Sequence, residues 1–407
     1  MRALSFAAGL SFAARAAGLA LTAQAAGLLF AAQAAGAGEL RIDWIERQVT
    51  PPPVLSNMQA RPEDLGRAGA ALALADISTT GKFTGQSYRI TDTVVPPEAE
   101  FLPAARAALG AGARVLVVRA PAEDLLALAD LPEAKGALIL NTAAPEDALR
   151  GPGCRANVLH TLPSYAMRAD ALAQFIVTKR WTRLALVAGT HPEDTAFAAA
   201  LRASLTKFGL ALAGEKTWAY DADMRRAAAA EVPLFTQDLP AHDLLLVADE
   251  PGDFARYVAY NTWEPRLLAG SEGAKPVGWA GVVEQNGAAQ LQNRFREATG
   301  REMRAEDYAA WAAVAALGEA VTRAGTTEPA GLRAWLLSDA ARIGGFLGRP
   351  LSFRPWDGQM RQPIPIVTER AVVALAPFEG FLHASNELDT LGPDRPETLC
   401  QAFGDPE

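Results

Sequence analysis

Cysteine and histidine are both scarce in this 407-residue sequence, which contains 2 of the former and 4 of the latter. Two cysteines are too few for a disulfide-rich scaffold, and ordinary fractions of apolar (50%) and charged (21%) residues exclude collagen-like and disordered chains. The histidines are scattered, and none forms a close pair with the spacing of metal ligands. The sequence therefore gives no indication of a metal site.

The common catalytic signatures are missing as well. There is no GxSxG, no HExxH and no GxGxxG after a predicted strand. Gly81-Lys82 lacks the first glycine of a phosphate-binding loop, because Asp76 occupies that position. Since the sequence offers no nucleophile and base in a known pattern, it does not predict an enzyme.

Charge is nearly absent from the first 38 residues, which carry only Arg2 and Arg15. This composition predicts an export signal, and small-residue patterns at Ala32-Gln33-Ala34 and Ala23-Gln24-Ala25 offer cleavage sites. The alternative is an uncleaved membrane anchor, since residues 16–38 are long enough to span a bilayer, although their many Ala and Gly make a weak span. We predict cleavage and a periplasmic location.

Removing this segment takes away two arginines and no acid, which leaves 36 basic and 46 acidic residues and a net charge of −10. An acidic exported protein is a poor binder of nucleic acid. In an oxidising compartment, Cys154 and Cys400 favour a single long-range disulfide, but two separate buried thiols stay open as the alternative.

Short apolar runs alternate with helical patterns along the rest of the chain, which is typical of parallel sheets with crossover helices. The runs are continuous, as expected for strands covered on both faces: 115–118, 137–140, 184–187 and 244–247. An amphipathic helix is predicted over Arg168–Arg180. The rhythm restarts near residue 165, so we predict an α/β fold with two doubly wound parallel-sheet lobes joined by a hinge.

Residues 39–160 with about 283–340 are predicted to form lobe 1, and 161–282 with about 341–385 lobe 2, followed by a tail over 386–407. Ligands of parallel α/β sheets bind at the carboxyl ends of strands. The polar residues at such positions, which we expect to converge on a crevice between the lobes, are Glu46, Arg47, Arg119, Asn141, Thr142, His191, Asp249 and Glu250. A solvated or capping role is the alternative for each of them.

Two tryptophans and three cations extend this candidate site. Trp44 and Trp279 flank predicted strand ends and can stack on a planar ligand, although a buried Trp more commonly fills a core. Arg47, Lys82 and Arg119 can together receive an anionic ligand through charge-assisted hydrogen bonds. Their alternative is the usual role of surface cations.

Several segments, in this order over residues 39–407, carry a resemblance to a known family: Asp76–Gln86, Leu159–Ser164, Arg168–Gln174, Val247–Glu250, Asn261–Arg266, Leu291–Phe295 and Ser352–Gln359. The chain resembles the type I periplasmic-binding class, and is similar to the leucine/isoleucine/valine-binding proteins of ABC transporters. More narrowly, it resembles substrate-binding proteins associated with pyrroloquinoline quinone (PQQ)-dependent alcohol dehydrogenase systems. That group has a Cys before the second lobe and another near the C-terminus, which supports pairing of Cys154 with Cys400.

The resemblance implies a monomeric periplasmic receptor that needs no cofactor, closes two lobes around a small anionic ligand and serves a separately encoded permease and ATPase. PQQ, a flat tricarboxylated quinone, is the expected ligand. The predicted ligand-binding residues are Trp44, Arg47, Lys82, Arg119, Thr142, Tyr165, His191, Asp249 and Trp279.

Three alternatives stay open. The ligand can instead be a branched-chain amino acid or a small alcohol-oxidation product, and the protein can be an accessory or sensor that binds the dehydrogenase. The last alternative is an enzyme that uses Asp249, Glu250 or His191 as acid–base groups.

Overall fold

The computed structural model describes residues 38–50, 60–219 and 224–404. The predicted export signal and both of its cleavage patterns lie outside these residues, except for Gly38. In the described ranges, no helix is both long enough and apolar enough to cross a membrane.

The first sheet has five parallel strands in the order β2-β1-β3-β4-β5. They are β1 (Glu39–Arg47), β2 (Ser87–Val95), β3 (Val115–Arg119), β4 (Leu138–Asn141) and β5 (Val158–His160). Every residue of β3, β4 and β5 is buried, which agrees with the continuous apolar runs of the sequence.

Helices cover both faces of this sheet. One face packs against α1 (Arg67–Thr84) and, from much later in the chain, α8 (Ala288–Thr299), α9 (Ala305–Ala324) and α10 (Pro329–Leu336). The other face packs against α2 (Phe101–Gly110) and α3 (Ala122–Ala129). The first lobe therefore takes its helices from two distant parts of the sequence.

The second sheet has four parallel strands in the order β7-β6-β8-β9. They are β6 (Leu184–Ala188), β7 (Leu212–Thr217), β8 (Leu244–Ala248) and β9 (Leu267–Gly270). The helices on one face are α4 (Tyr165–Lys179) and α5 (Pro192–Lys207), and those on the other are α6 (Met224–Thr236) and α7 (Ala255–Val258). The predicted α/β fold with parallel sheets is confirmed.

Short strands complete the cores of both lobes. β10 (Lys275–Pro276), β13 (Ile364–Val367) and β14 (Val372–Ala376) form an antiparallel sheet in the order β10-β13-β14. β11 (Ser352–Phe353) pairs with β12 (Met360–Arg361).

Three chain segments pass between the lobes, over residues 161–164, 277–287 and 354–363. Flanking residues hydrogen-bond to these segments: the His160 amide, just before the first, donates to the Gly358 carbonyl (2.9 Å), and the Pro365 carbonyl, just after the third, accepts from the Val277 amide (3.0 Å). The Gln362 side chain donates to the Thr161 carbonyl at 2.8 Å. The connection between the lobes is therefore a hydrogen-bonded layer of three segments.

The C-terminal tail forms a further link between the lobes. The Gln174 side chain on α4 donates to the Thr390 hydroxyl at 3.0 Å, so the tail first lies against lobe 2. It then returns to lobe 1, where Cys400 is bonded to Cys154. The predicted disulfide is confirmed, with 246 positions of sequence separating its cysteines.

The N-termini of α1 and α9 meet closely at the carboxyl end of the first sheet. A Cβ atom on Gly69 would lie 1.8 Å from the Asp307 carbonyl oxygen, so only glycine permits this approach. The buried Asp307 carboxylate accepts hydrogen bonds from the Gly66 amide (2.7 Å) and from the Arg301 guanidinium (2.7 and 2.9 Å). Both helix N-termini are thereby fixed beside the ends of β1 and β3.

Candidate functional site

A buried ion pair marks the carboxyl end of the first sheet. Glu46 lies near the end of β1, on the same face of the strand as Trp44. Its carboxylate lies 2.7 Å from the Arg119 guanidinium at the end of β3. The Trp44 indole Nε1 donates to the other Glu46 oxygen at 3.0 Å. The start of α1 helps to bury this pair. Its N-cap, Gly66, lies so close that a Cβ atom on it would be 3.2 Å from Arg119 Cδ.

Arg61 adds a second guanidinium to this edge of lobe 1. Burial lowers its pKa, and Arg119 and Arg304 nearby lower it further, against the opposite effect of Glu306 and Glu46. Arg61 lies 3.5 Å from the Glu306 carboxylate. Each positive charge here has a negative neighbour, so the edge of lobe 1 is close to neutral.

The ends of β4 and β5 are occupied by structural hydrogen bonds. The Thr142 hydroxyl donates to the Val118 carbonyl at 3.0 Å. The Asn141 amide nitrogen donates to the Ala144 carbonyl (2.7 Å) and lies 3.0 Å from His160 Nδ1, which must accept, so the proton of the neutral ring is on Nε2. Burial, reinforced by Arg150, holds the His160 pKa well below its usual range, and the ring is neutral.

A second ion pair lies at the carboxyl end of the second sheet. The Arg168 guanidinium, from the first turns of α4, donates two parallel hydrogen bonds to the Glu250 carboxylate at 2.6 and 2.9 Å. Ser271 donates to the same carboxylate at 2.8 Å, and Arg168 packs 4.5 Å from the Phe197 ring centroid. Burial alone would raise the Glu250 pKa, but Arg168 and Ser271 together lower it. Glu250 is therefore a carboxylate at neutral pH.

Asp249 shapes the turn that follows β8. Its buried carboxylate accepts four backbone N–H groups, those of Gly252, Asp253, Phe254 and Ala255, at 2.7–3.1 Å. Burial raises the Asp249 pKa in spite of these bonds. This saturated side chain fixes the loop leading into α7 and has no capacity to act as a base.

Between these groups lies a cavity of about 260 Å³ at the carboxyl ends of β8 and β9. Three cations and three acids contribute to its wall, which is lined by Arg168, Asp249, Glu250, Gly252, Ala255, Arg256, Gly270, Ser271, Glu272, Lys275 and Val277. It is a recess of mixed charge that is open to solvent.

Asp194 connects α5 to this region and makes stability depend on pH. It is fully buried and accepts the amides of Glu250 (2.7 Å) and His191 (3.1 Å). Burial, with a smaller contribution from Asp249, raises its pKa to about 6.

When the pKa of an acid is higher in the folded state than in the unfolded state, the protein loses stability as the pH rises from the unfolded-state pKa to the folded-state pKa. Between pH 4 and 6.5, Asp194 is therefore expected to reduce the free energy of unfolding by about 2–3 kcal/mol. Denaturation midpoints over this range should fall less steeply in Asp194→Asn than in the wild type. Parallel pH profiles for the two proteins would contradict the prediction.

Five of the predicted ligand residues are at or just after strand ends: Arg47, Arg119, Thr142, His191 and Asp249. Arg119, Thr142 and Asp249 are buried with the partners given above. His191 is half-exposed, and its Nε2 lies 2.8 Å from Asp253, which raises the histidine pKa.

The three aromatic residues chosen for a planar ligand are packed in the cores of the lobes. Trp44 is 1% exposed in the core of lobe 1, and Trp279 is 2% exposed, stacked on Tyr308 with centroids 4.7 Å apart. Tyr165 is buried in lobe 2, 5.7 Å from the Phe197 ring. Each ring fills space between sheet and helices, so none presents a face to the cavity.

Two of the predicted ligand cations lie apart from the Glu46–Arg119 ion pair. Lys82 is exposed in the last turn of α1, which ends beside the start of β2, at the amino end of the parallel strands. Arg47 is the last residue of β1 but points to the other face of this strand, where it is bound to Asp124 at 2.8 Å and lies over the Phe101 ring.

Sequence reasoning missed five polar residues of the cavity: Arg168, Arg256, Ser271, Glu272 and Lys275. The strand-end rule that selected Asp249 would also have found Ser271, because it follows the short apolar run of β9. Ser164 is the N-cap of α4 and starts this helix one turn before the predicted position, which places Arg168 near its N-terminus. No comparable pattern marks Arg256.

Comparisons with known proteins bear on this architecture. A sequence profile described as "Periplasmic binding protein" matches residues 56–230. No curated protein sequence matches the chain.

Solved structures resemble the chain over most of its length. A branched-chain amino acid ABC transporter periplasmic ligand-binding protein from Burkholderia xenovorans is 14% identical, with 90% of this chain and 100% of that chain covered and a TM-score of 0.70. A leucine-, isoleucine-, valine-, threonine- and alanine-binding protein from Brucella ovis is 16% identical, with coverages of 83% and 92% and a TM-score of 0.66.

A solute-binding protein of an ABC transporter from R. palustris, solved with benzoate, is 14% identical, with coverages of 89% and 100% and a TM-score of 0.62. At these identities the similarity establishes architecture rather than ligand. The chain therefore has the two-lobed α/β fold of the periplasmic binding proteins.

Proposed function

We propose that this protein is an exported, periplasmic solute-binding protein that delivers a small molecule to an ABC-type transporter. The permease and the ATPase would be separate chains. The observation that carries the proposal is the 260 Å³ recess at the carboxyl ends of β8 and β9, walled by fixed charges and placed beside the segments that join two lobes. In such a recess the ligand binds to one lobe, and the site closes when the other lobe moves onto it.

The proposal is of binding and not of catalysis. Asp249, one candidate base, is saturated by four amides, and Glu250 is held as a carboxylate by Arg168. His191, the third candidate, is paired with Asp253 at a half-exposed position. A positioned acid or base needs a free site within hydrogen-bond reach of a reacting atom, and these groups are committed to the protein itself.

A small ligand is better supported than PQQ. The side chains that were expected to hold a flat quinone, Trp44, Trp279 and Tyr165, are packed in the cores of the lobes. Fold relatives are described as binding branched-chain amino acids or benzoate, which are both small carboxylates. The association with a PQQ-dependent dehydrogenase stays a prediction from the resemblance.

The test is a ligand screen on the mature protein, residues 39–407, unfolded and refolded to remove any bound molecule. The panel contains the common L-amino acids, aliphatic and aromatic monocarboxylates, and PQQ. A ligand present at 100 times its Kd stabilises the folded state by about 2.7 kcal/mol, which raises the melting temperature measurably. Calorimetry then gives stoichiometry, with one ligand per chain expected.

Two results would contradict the proposal. The first is a folded protein whose melting temperature no panel member raises. The second is chemical conversion of a panel compound by the purified protein, which chromatography would detect. Such a conversion would indicate an enzyme.

A further inference from the structure

The three cations that line the lobe 2 recess differ in their partners. Arg168 donates to Glu250 at 2.6 and 2.9 Å, and Lys275 lies 3.6 Å from Glu272. Arg256, by contrast, forms no ion pair with any carboxylate of the described residues, and its buried Nε has no hydrogen-bond partner there. One guanidinium in the recess is therefore left without a negative partner.

The acids of the recess are in the opposite situation. Glu250 accepts two bonds from Arg168 and one from Ser271, and Asp249 accepts four backbone amides. Glu272 accepts the Gly273 amide at 3.1 Å and faces Lys275. A ligand ammonium group would compete with the cations that already face Glu250 and Glu272, whereas a ligand carboxylate meets a guanidinium that has no carboxylate partner among the described residues.

Arg256 also contacts an aromatic ring. Its Cζ lies 4.9 Å from the centroid of the neighbouring Tyr257 ring, a distance at which a guanidinium is attracted to an aromatic face. A guanidinium can bind a carboxylate through two parallel hydrogen bonds, which a lysine ammonium group cannot reproduce. The volume of about 260 Å³ lies below that of drug-sized pockets and limits the ligand to a small molecule.

We infer that the recess recognises the carboxylate of a small organic acid through Arg256, and that it does not require an α-ammonium group on the ligand. This inference rests on the proposed function and narrows its substrate class. Arg256 is thereby the specificity-determining residue of lobe 2, and Glu250 and Glu272 serve to hold Arg168 and Lys275 in place.

The experiment compares ligands that differ only by the amino group. The pairs are L-leucine with 4-methylpentanoate, L-valine with 3-methylbutanoate, and L-phenylalanine with 3-phenylpropanoate. Affinities are measured by calorimetry for the mature wild type, Arg256→Met, Arg256→Lys and the control Arg202→Met. Arg202 is on α5 of the same lobe and pairs with Glu215 at the surface, so its variant removes one charge without touching the recess.

At least one acid should bind the wild type as tightly as its amino acid counterpart or more tightly. Arg256→Met should weaken that binding at least tenfold, Arg256→Lys should give an intermediate affinity, and Arg202→Met should stay within twofold of the wild type. The melting temperature of each unliganded variant identifies any that fails to fold, and Arg256→Lys then takes the place of Arg256→Met.

Two findings would overturn the inference and leave the proposed function standing: an amino acid that binds at least tenfold more tightly than its acid, or an acid whose affinity is unchanged in Arg256→Met. If folded wild-type protein binds no member of any pair and nothing in the wider panel, the proposed function itself fails, and this inference fails with it.

Discussion

Arg168→Met is expected to destabilise the protein by about 3–5 kcal/mol, because it leaves the Glu250 carboxylate buried without its counter-charge. Both side chains of the pair are only 16% exposed, so water replaces the guanidinium only in part. Equilibrium urea denaturation followed by tryptophan fluorescence and circular dichroism measures the loss. The control Arg202→Met breaks an exposed pair and should cost less than about 1 kcal/mol.

The unpaired Glu250 carboxylate leads to two further expected results. In Arg168→Met, the pKa of Glu250 should rise, so the loss of stability should shrink as pH falls and the carboxyl group takes up a proton. The double variant Arg168→Met/Glu250→Gln should recover part of the stability, because no buried charge is left unpaired. A loss that is independent of pH and additive in the double variant would point to packing rather than charge.

Cys154→Ser and Cys400→Ser are each expected to lower stability by about 5 kcal/mol in the chain-entropy model, because the disulfide closes a loop with a sequence separation of 246. The corresponding fall in melting temperature is roughly 6 °C. The cause is the larger freedom of the unfolded chain, and the folded contacts of the tail with α4 should persist.

The double variant supplies the control, since it should be no less stable than either single variant. Reduction of the wild type with dithiothreitol should reproduce the same melting temperature. If the reduced and the oxidised wild type have the same melting temperature, the cross-link contributes nothing to stability.

The strands that were predicted best are those buried on both faces. The apolar runs 115–118, 184–187 and 244–247 each start where β3, β6 and β8 start and stop one residue early. Their sequences need no tertiary information, because continuous burial requires continuous apolar residues. β7 was not predicted, since it is an edge strand that alternates partly buried with exposed residues.

The site was harder to predict because its chemistry depends on pairing between distant residues. Strand ends located Asp249 and Glu250 correctly, but the partner of Glu250 is Arg168, which is 82 positions away on a helix. The same ambiguity affects the tryptophans, because local sequence does not tell whether a ring at a strand end faces a cleft or a helix. Trp279 faces Tyr308 of α9, a contact that only the assembled lobe defines.

The origin of α8, α9 and α10 has a consequence for the order in which the protein forms. Together with α1, these helices cover one face of the first sheet, and their Phe295 and Leu317 share a core with Ile42 and Val117. Of the described residues, 39–160 are synthesised first, yet one side of their sheet is covered only by α1 until residues 288–336 have been made. The second sheet is continuous from residue 184 to 270, and α7, the last of the helices described on its faces, ends at Val258. The sheet that is synthesised first is thus the one whose helices are completed last.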